Sequence, residues 1–127
     1  MIDEIIEREN YALAKKLLDI SHTRHQTLAG NLANVETPGY KRSDIKADFA
    51  QELQKLAAGD DREGIAAFEA PVEVDFNSPA VRPDGNNVQM DRELLEINKN
   101  AMQFEFLAQY ASNSLKRIET AITGQIK

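Results

Sequence analysis

The sequence predicts a mainly α-helical protein. Two long terminal helices form an antiparallel coiled-coil pair, and the irregular middle region holds a short helix and enough alternation for a short β-strand or hairpin. Three observations predict it. Both ends carry apolar residues at helical spacing, all four prolines fall in the middle of the chain, and the last third holds a sustained heptad pattern. The 127 residues make one structural domain in three parts: residues 1–37, 38–86 and 87–127.

In the first part Ile2, Ile6, Leu13, Leu17, Ile20, Leu28, Leu32 and Val35 recur mostly three, four or seven apart, with no proline and only Gly30 interrupting. Asp3, Glu4 and Glu7 occupy the opening turns, where the positive end of the helix dipole favours acid. Thr37-Pro38-Gly39-Tyr40 places Pro before Gly, the order preferred at the centre of a type II turn. The residue before proline is pushed out of the α region, so the helix is expected to end by about Glu36.

The middle part holds all the prolines and four of the six glycines. Phe49, Leu53 and Leu56 give Asp44–Ala58 a helical stretch, and Val72, Val74 and Phe76 alternate as in a strand. Asn77-Ser78-Pro79 and Arg82-Pro83-Asp84-Gly85 are turn signals. The segment is expected to be largely irregular and to project from one end of the helix pair.

The third part begins between Asn87 and Asp91 and runs to about Thr123. Leu94, Ala101, Ala108, Leu115 and Ile122 lie seven apart, and Ile97, Phe104, Ala111 and Ile118 follow the first four by three. Such an a/d repeat marks a coiled-coil seam. Gly124 supplies the stop. Leu95, Met102, Phe106 and Tyr110 fall away from that seam, giving the helix a second apolar face. Each large seam side chain contributes ~1.5–3 kcal/mol on burial, against ~1–2 kcal/mol per residue for fixing the backbone. One seam does not hold so long a helix alone, so other molecules are expected on it.

Composition narrows the function. Acidic residues outnumber basic ones 21 to 15, giving a net charge of −6, which argues against a nucleic-acid binder tracking phosphates. No apolar run reaches membrane-spanning length, so no membrane insertion is expected. The opening MIDEIIEREN lacks a basic region followed by an apolar stretch, so no cleaved Sec-type leader is expected. With no cysteine, disulfides and thiolate metal sites are excluded.

Reactive constellations are weak. His22 and His25, with Asp19 a turn away, read as surface histidines rather than a metal site, because nothing completes a zinc shell. Asp84-Gly85-Asn86-Asn87 lacks the acidic alternation of a calcium loop and reads as a turn, with Asn86 and Gln89 spaced for helix capping. Asp60-Asp61 reads as solvated loop. There is no nucleophile elbow, HExxH or phosphate-binding glycine loop, so no enzyme activity, catalytic residue, metal or cofactor is expected.

The distinctive stretch is Gly30-Asn31-Leu32-Ala33-Asn34-Val35 running into Thr37-Pro38-Gly39-Tyr40-Lys41. Two asparagines at i, i+3 present amides on one helix face. They read equally as a buried register device or as an exposed helix cap and turn. Gly30 inside a helix costs ~1 kcal/mol relative to alanine, a cost that a close helix approach would repay.

At these residues the chain resembles the bacterial flagellar rod and hook protein family. NLANVETPGYKR, Asn31 to Arg42, matches that family's N-terminal signature. DGNNVQMDRE, Asp84 to Glu93, with Asn100-Ala101 and the closing AITGQ, resembles its proximal rod members in particular. The resemblance implies a structural, non-enzymatic subunit of the basal-body rod in the periplasmic space. Such a subunit is exported through the flagellar type III export gate without a cleaved signal. The implied partners are other rod subunits and the adaptor or membrane ring at the rod base, in a higher-order helical assembly. The same resemblance implies polymerisation through Ile6, Leu13, Leu17 and Ile20 against the last helix, lateral register from Asn31 and Asn34, and neighbours against Phe106 and Tyr110. Phe49-Ala50-Gln51-Glu52-Leu53 fits the family's Phe-x-x-x-hydrophobic gate element, and fits a small amphipathic helix packed on the subunit equally well. The alternative reading is a cytoplasmic coiled-coil adaptor or export chaperone.

Overall fold

In the computed structural model, which describes the backbone of residues 2–124 and the side chains of residues 10–124, six elements follow one another. They are α1 (Ile2–Ala33), β1 (Ser43–Ile45), α2 (Phe49–Ala58), α3 (Arg62–Ala67), β2 (Val72–Val74) and α4 (Met90–Thr123). The fold is mainly α, as the two terminal patterns predict. The side chains of Ile2 and Ile6 lie outside the described residues.

The terminal helices run antiparallel. Asn31 near the end of α1 bonds Glu93 near the start of α4, and Ser21, ten residues earlier on α1, bonds Asn100, seven later on α4. The stop after α1 follows the turn chemistry. Tyr40 N–H donates to the Thr37 carbonyl at 3.3 Å, and Gly39 takes φ 72°, which a side chain would resist. At the far end Gly124 closes α4 with φ 67° and an N–H donated to the Thr120 carbonyl at 2.8 Å, a left-handed cap.

The middle segment does not project. It folds back along α1, where Ile45, Leu53 and Ile65 meet Ile20 in the largest buried apolar cluster, with Leu13, Leu17, Phe49 and Phe68 packed around them. The physical reason is that α4 covers only one face of α1. Its next face is equally apolar, and α2 and α3 carry the apolar residues to close it. β1 and β2 pair antiparallel, Ser43 opposite Val74 and Ile45 opposite Val72, which ties the two ends of that excursion together. The short helix α3 was not expected: Asp61 starts it, accepting from Gly64 N–H at 2.8 Å, after Asp60 turns the chain at φ 54°. Among the described residues, no helix is long and apolar enough to cross a membrane.

Candidate assembly site

Where the chain leaves α1 and re-enters α4, the signature residues form a buried polar knot. Asn31 is fully buried. Its amide N–H groups go to the Ser43 carbonyl at 2.7 Å and the Glu93 carboxylate at 3.2 Å, and its oxygen accepts from Ser43 N–H at 2.9 Å and the Tyr40 hydroxyl at 3.3 Å. Asn34 caps its own helix, donating to the Gly30 carbonyl at 2.8 Å and accepting from Thr37. The two amides therefore do different work. Asn31 sets the register of α1 against β1 and α4 within the subunit, so its amide is not available to set lateral register with a neighbour. Leu32 is half-buried, whereas Ala33, Thr37, Pro38 and Gly39 are exposed.

Arg42 is the hub, 3% exposed and surrounded by carboxylates. Its guanidinium donates to Glu93 at 2.6 Å, Asp75 at 2.7 Å and Asp44 at 3.4 Å. Burial alone would lower the Arg42 pKa, but the bonds to Glu93 and Asp75 hold it above its ordinary value. Burial would likewise raise Asp75. Instead, bonds from Ser78, Arg42 and the backbone N–H groups of Ser78 and Asn77 pull it down to about 2. Arg24 extends the network to Asp44 at 3.0 Å and Glu96 at 2.8 Å.

Two further asparagines complete it. Asn86 donates to the carbonyls of Asn34, Val35 and Thr37, satisfying orphan groups at the end of α1, and accepts from Val88 N–H at 2.8 Å. It ties two helix ends together rather than capping α4, whose N-cap Gln89 makes no side-chain bond. Asn87 accepts from Arg42 N–H at 2.7 Å and donates to the Asp75 carbonyl at 2.8 Å. The charges here are committed to one another, which makes the knot a lock.

The line of α4 buried most deeply is polar: Glu93, Asn100 and Ser114. It lies one position before the expected column of Leu94, Ala101, Ala108, Leu115 and Ile122. Of that column only Ala108 is half-buried, while Leu94 is 42% exposed and Ile122 79%. In the other column Ile97, Ala111 and Ile118 are half-buried and Phe104 is exposed. The contact with α1 thus takes its phase from hydrogen bonds, and much of the apolar repeat is left facing outward. On the opposite flank Leu95, Met102, Phe106 and Tyr110 are all exposed, Met102 and Phe106 by 70% or more. Within the subunit α4 therefore carries two unpartnered apolar strips on opposite sides.

Phe49 is half-buried and Leu53 is 2% exposed, both packed toward α1. His22 and His25 are exposed and line a cleft of about 240 Å³ with Ala101 and Phe104. Among the described residues, no group of histidines and acids is placed to hold a metal ion.

Sequence reasoning missed Arg42, Asp75, Glu93, Asn87 and Asn100 as a set. The available signal was the seven-residue interval between Glu93 and Asn100, polar positions adjoining an apolar repeat.

No protein-family model matches the chain. Curated relatives do. It is 34% identical to the flagellar basal body rod protein FlgB of Aquifex aeolicus (strain VF5), over 89% of this chain and 92% of that protein. The same protein of Escherichia coli (strain K12) is 32% identical over 89% and 84%, and that of Borrelia hermsii 28% over 87% and 93%. These matches run nearly end to end, through the knot and both long helices, and the chain belongs to the FlgB family of flagellar basal body rod proteins.

Proposed function

We propose that this chain is a structural subunit of the proximal rod, joining other rod subunits and the ring at the rod base through its terminal helices. One observation carries the reading: a subunit locked internally by buried polar contacts leaves two apolar strips of α4 uncovered. Exposed apolar area of this extent on one helix is where another protein sits. Polymer growth needs such contacts on more than one side of the molecule.

Export through the type III gate to the periplasmic side belongs to the same reading. Leu53 is buried and Phe49 half-buried in the folded subunit, so a gate reading Phe49 and Leu53 meets them before the chain folds. The seam residues and Thr37-Pro38-Gly39 are the surfaces offered to neighbours.

The test is electron microscopy of basal bodies from a strain lacking the gene, with a motility assay. Rings without rod and hook, in cells that do not swim, are the expected result. Complete flagella would overturn it and favour a cytoplasmic adaptor or export chaperone that binds a client helix along the same strips.

A further inference from the structure

We infer that the two strips of α4 are complementary halves of one contact: the bulky strip of one subunit seats in the groove beside α1 of a second copy. This rests on the rod reading and goes beyond it by naming which surface meets which.

The groove runs between α1 and α4 on the side opposite the middle segment. Its α4 wall has small residues at Ala101 and Ala108, with Leu94 and Phe104 alongside, and its α1 wall carries His22 and His25. The opposite strip is built of large side chains: Leu95, Met102, Phe106 and Tyr110 are 52%, 72%, 70% and 39% exposed. Small residues opposite large ones are what knobs-into-holes packing requires.

Charge points the same way. At 3.6 residues per turn, Lys99 and Arg117 share the flank of the bulky strip, whereas Glu105 and Glu119 share the flank of Leu94 and Ala101. All four are exposed. Pairing strip with strip would set Lys99 and Arg117 against their own copies. Pairing groove with groove would set acid against acid and alanine against alanine. Only strip into groove joins unlike charges and fills the small-residue wall. Such a contact uses different surfaces of the same molecule, so it does not close on itself and repeats.

The sequence has no cysteine, so introduced thiols are the only ones present. Basal bodies are purified from cells carrying Ala101→Cys, Met102→Cys or both in one chain, oxidised, and run on non-reducing gels. All these positions are exposed, and circular dichroism checks that each variant folds. The double variant is expected to give a ladder of covalent multimers and each single variant only monomer. Phe106→Cys in place of Met102→Cys repeats the test one turn along. A single variant cross-linking to itself, or basal bodies that contain the subunit but give no ladder with either pair, overturns the inference and leaves the rod reading standing. Basal bodies that lack even the unaltered chain overturn the rod reading itself.

Discussion

Arg42 and Glu93 lie 51 residues apart in sequence, and Arg42 Nε stands 2.6 Å from Glu93 Oε1 with both side chains out of solvent. That pair joins the exit of the first helix to the first turn of the last. Removing one partner strands the other as an uncompensated buried charge, which typically costs ~3–5 kcal/mol. Glu93→Ala is therefore expected to lower the free energy of unfolding by about that amount in urea titrations. A loss under ~1 kcal/mol would mean that Asp75 and Asp44 suffice to hold Arg42.

Acid acts on the same knot. Asp75 is held down to about 2, and Asp44 and Glu96 also lie below their ordinary values, because bonds from Ser78, Arg42 and Arg24 outweigh the effect of burial. A depressed carboxylate stabilises the folded state in full above the unfolded chain's value. The stabilisation drains as pH falls through the folded value. The melting temperature should be flat from neutral pH to about 5 and then fall steeply toward pH 2. Asp75→Asn should flatten part of that slope. An unchanged acid limb in this variant would remove Asp75 from the account.

Asn31 gives a sharper test, since both faces of its amide are occupied. Asn31→Asp keeps the acceptor but removes both donors, and sets a carboxylate against Glu93 and the Ser43 carbonyl. Repulsion adds to the loss of two buried bonds, so Asn31→Asp should destabilise more than Asn31→Ala, by ~1 kcal/mol or more. The reverse order would show that a protonated carboxyl takes over the donor role, and the effect would then vanish at low pH.

How much of this was legible in the sequence divides by physical cause. The long helices, the turn at Gly39, the strand at Val72–Val74 and the stop at Gly124 depend on local spacing and local backbone geometry, and local patterns announce them. The knot depends on Arg42 meeting Glu93 and Asp75 across long sequence separations, which no window reveals. The phase of α4 failed to show for a related reason. A seven-residue repeat fixes the period, but two adjacent columns, Leu94-Ala101-Ala108 and Glu93-Asn100, share it. Hydrophobicity alone selects the first, yet Ser21 and Asn31 bond the second. The middle segment was taken for a projection because its apolar residues looked sparse. Leu53 and Ile65 sit on two different short helices and form one surface only once both lie on α1.

Gly30 separates subunit from assembly. A methyl group built there meets no atom within 4 Å, and its backbone is ordinary helix. The close approach that would explain a glycine is therefore not made inside the subunit. Gly30→Ala should raise subunit stability, by up to ~1 kcal/mol from helix propensity alone. Loss of motility in this more stable variant would place a neighbouring helix against Gly30. Unchanged swimming would mean the position is open in the rod as well.

Leu115 and Ile118 lie one turn apart on α4 but are exposed to different degrees, Leu115 by 50% and Ile118 only in part. An aspartate at Leu115 meets water in the free subunit, so Leu115→Asp should change the unfolding free energy by no more than ~0.5 kcal/mol. In a rod, where a neighbour covers that strip, the same carboxylate would be desolvated without a partner, at a cost of several kcal/mol per contact. Export should continue, motility should be lost, and basal bodies should lack rods. Ile118→Asp, half-buried against the subunit, should lower stability as well and so serves as the contrast. A Leu115→Asp strain that swims normally would show that this strip of α4 meets nothing in the rod.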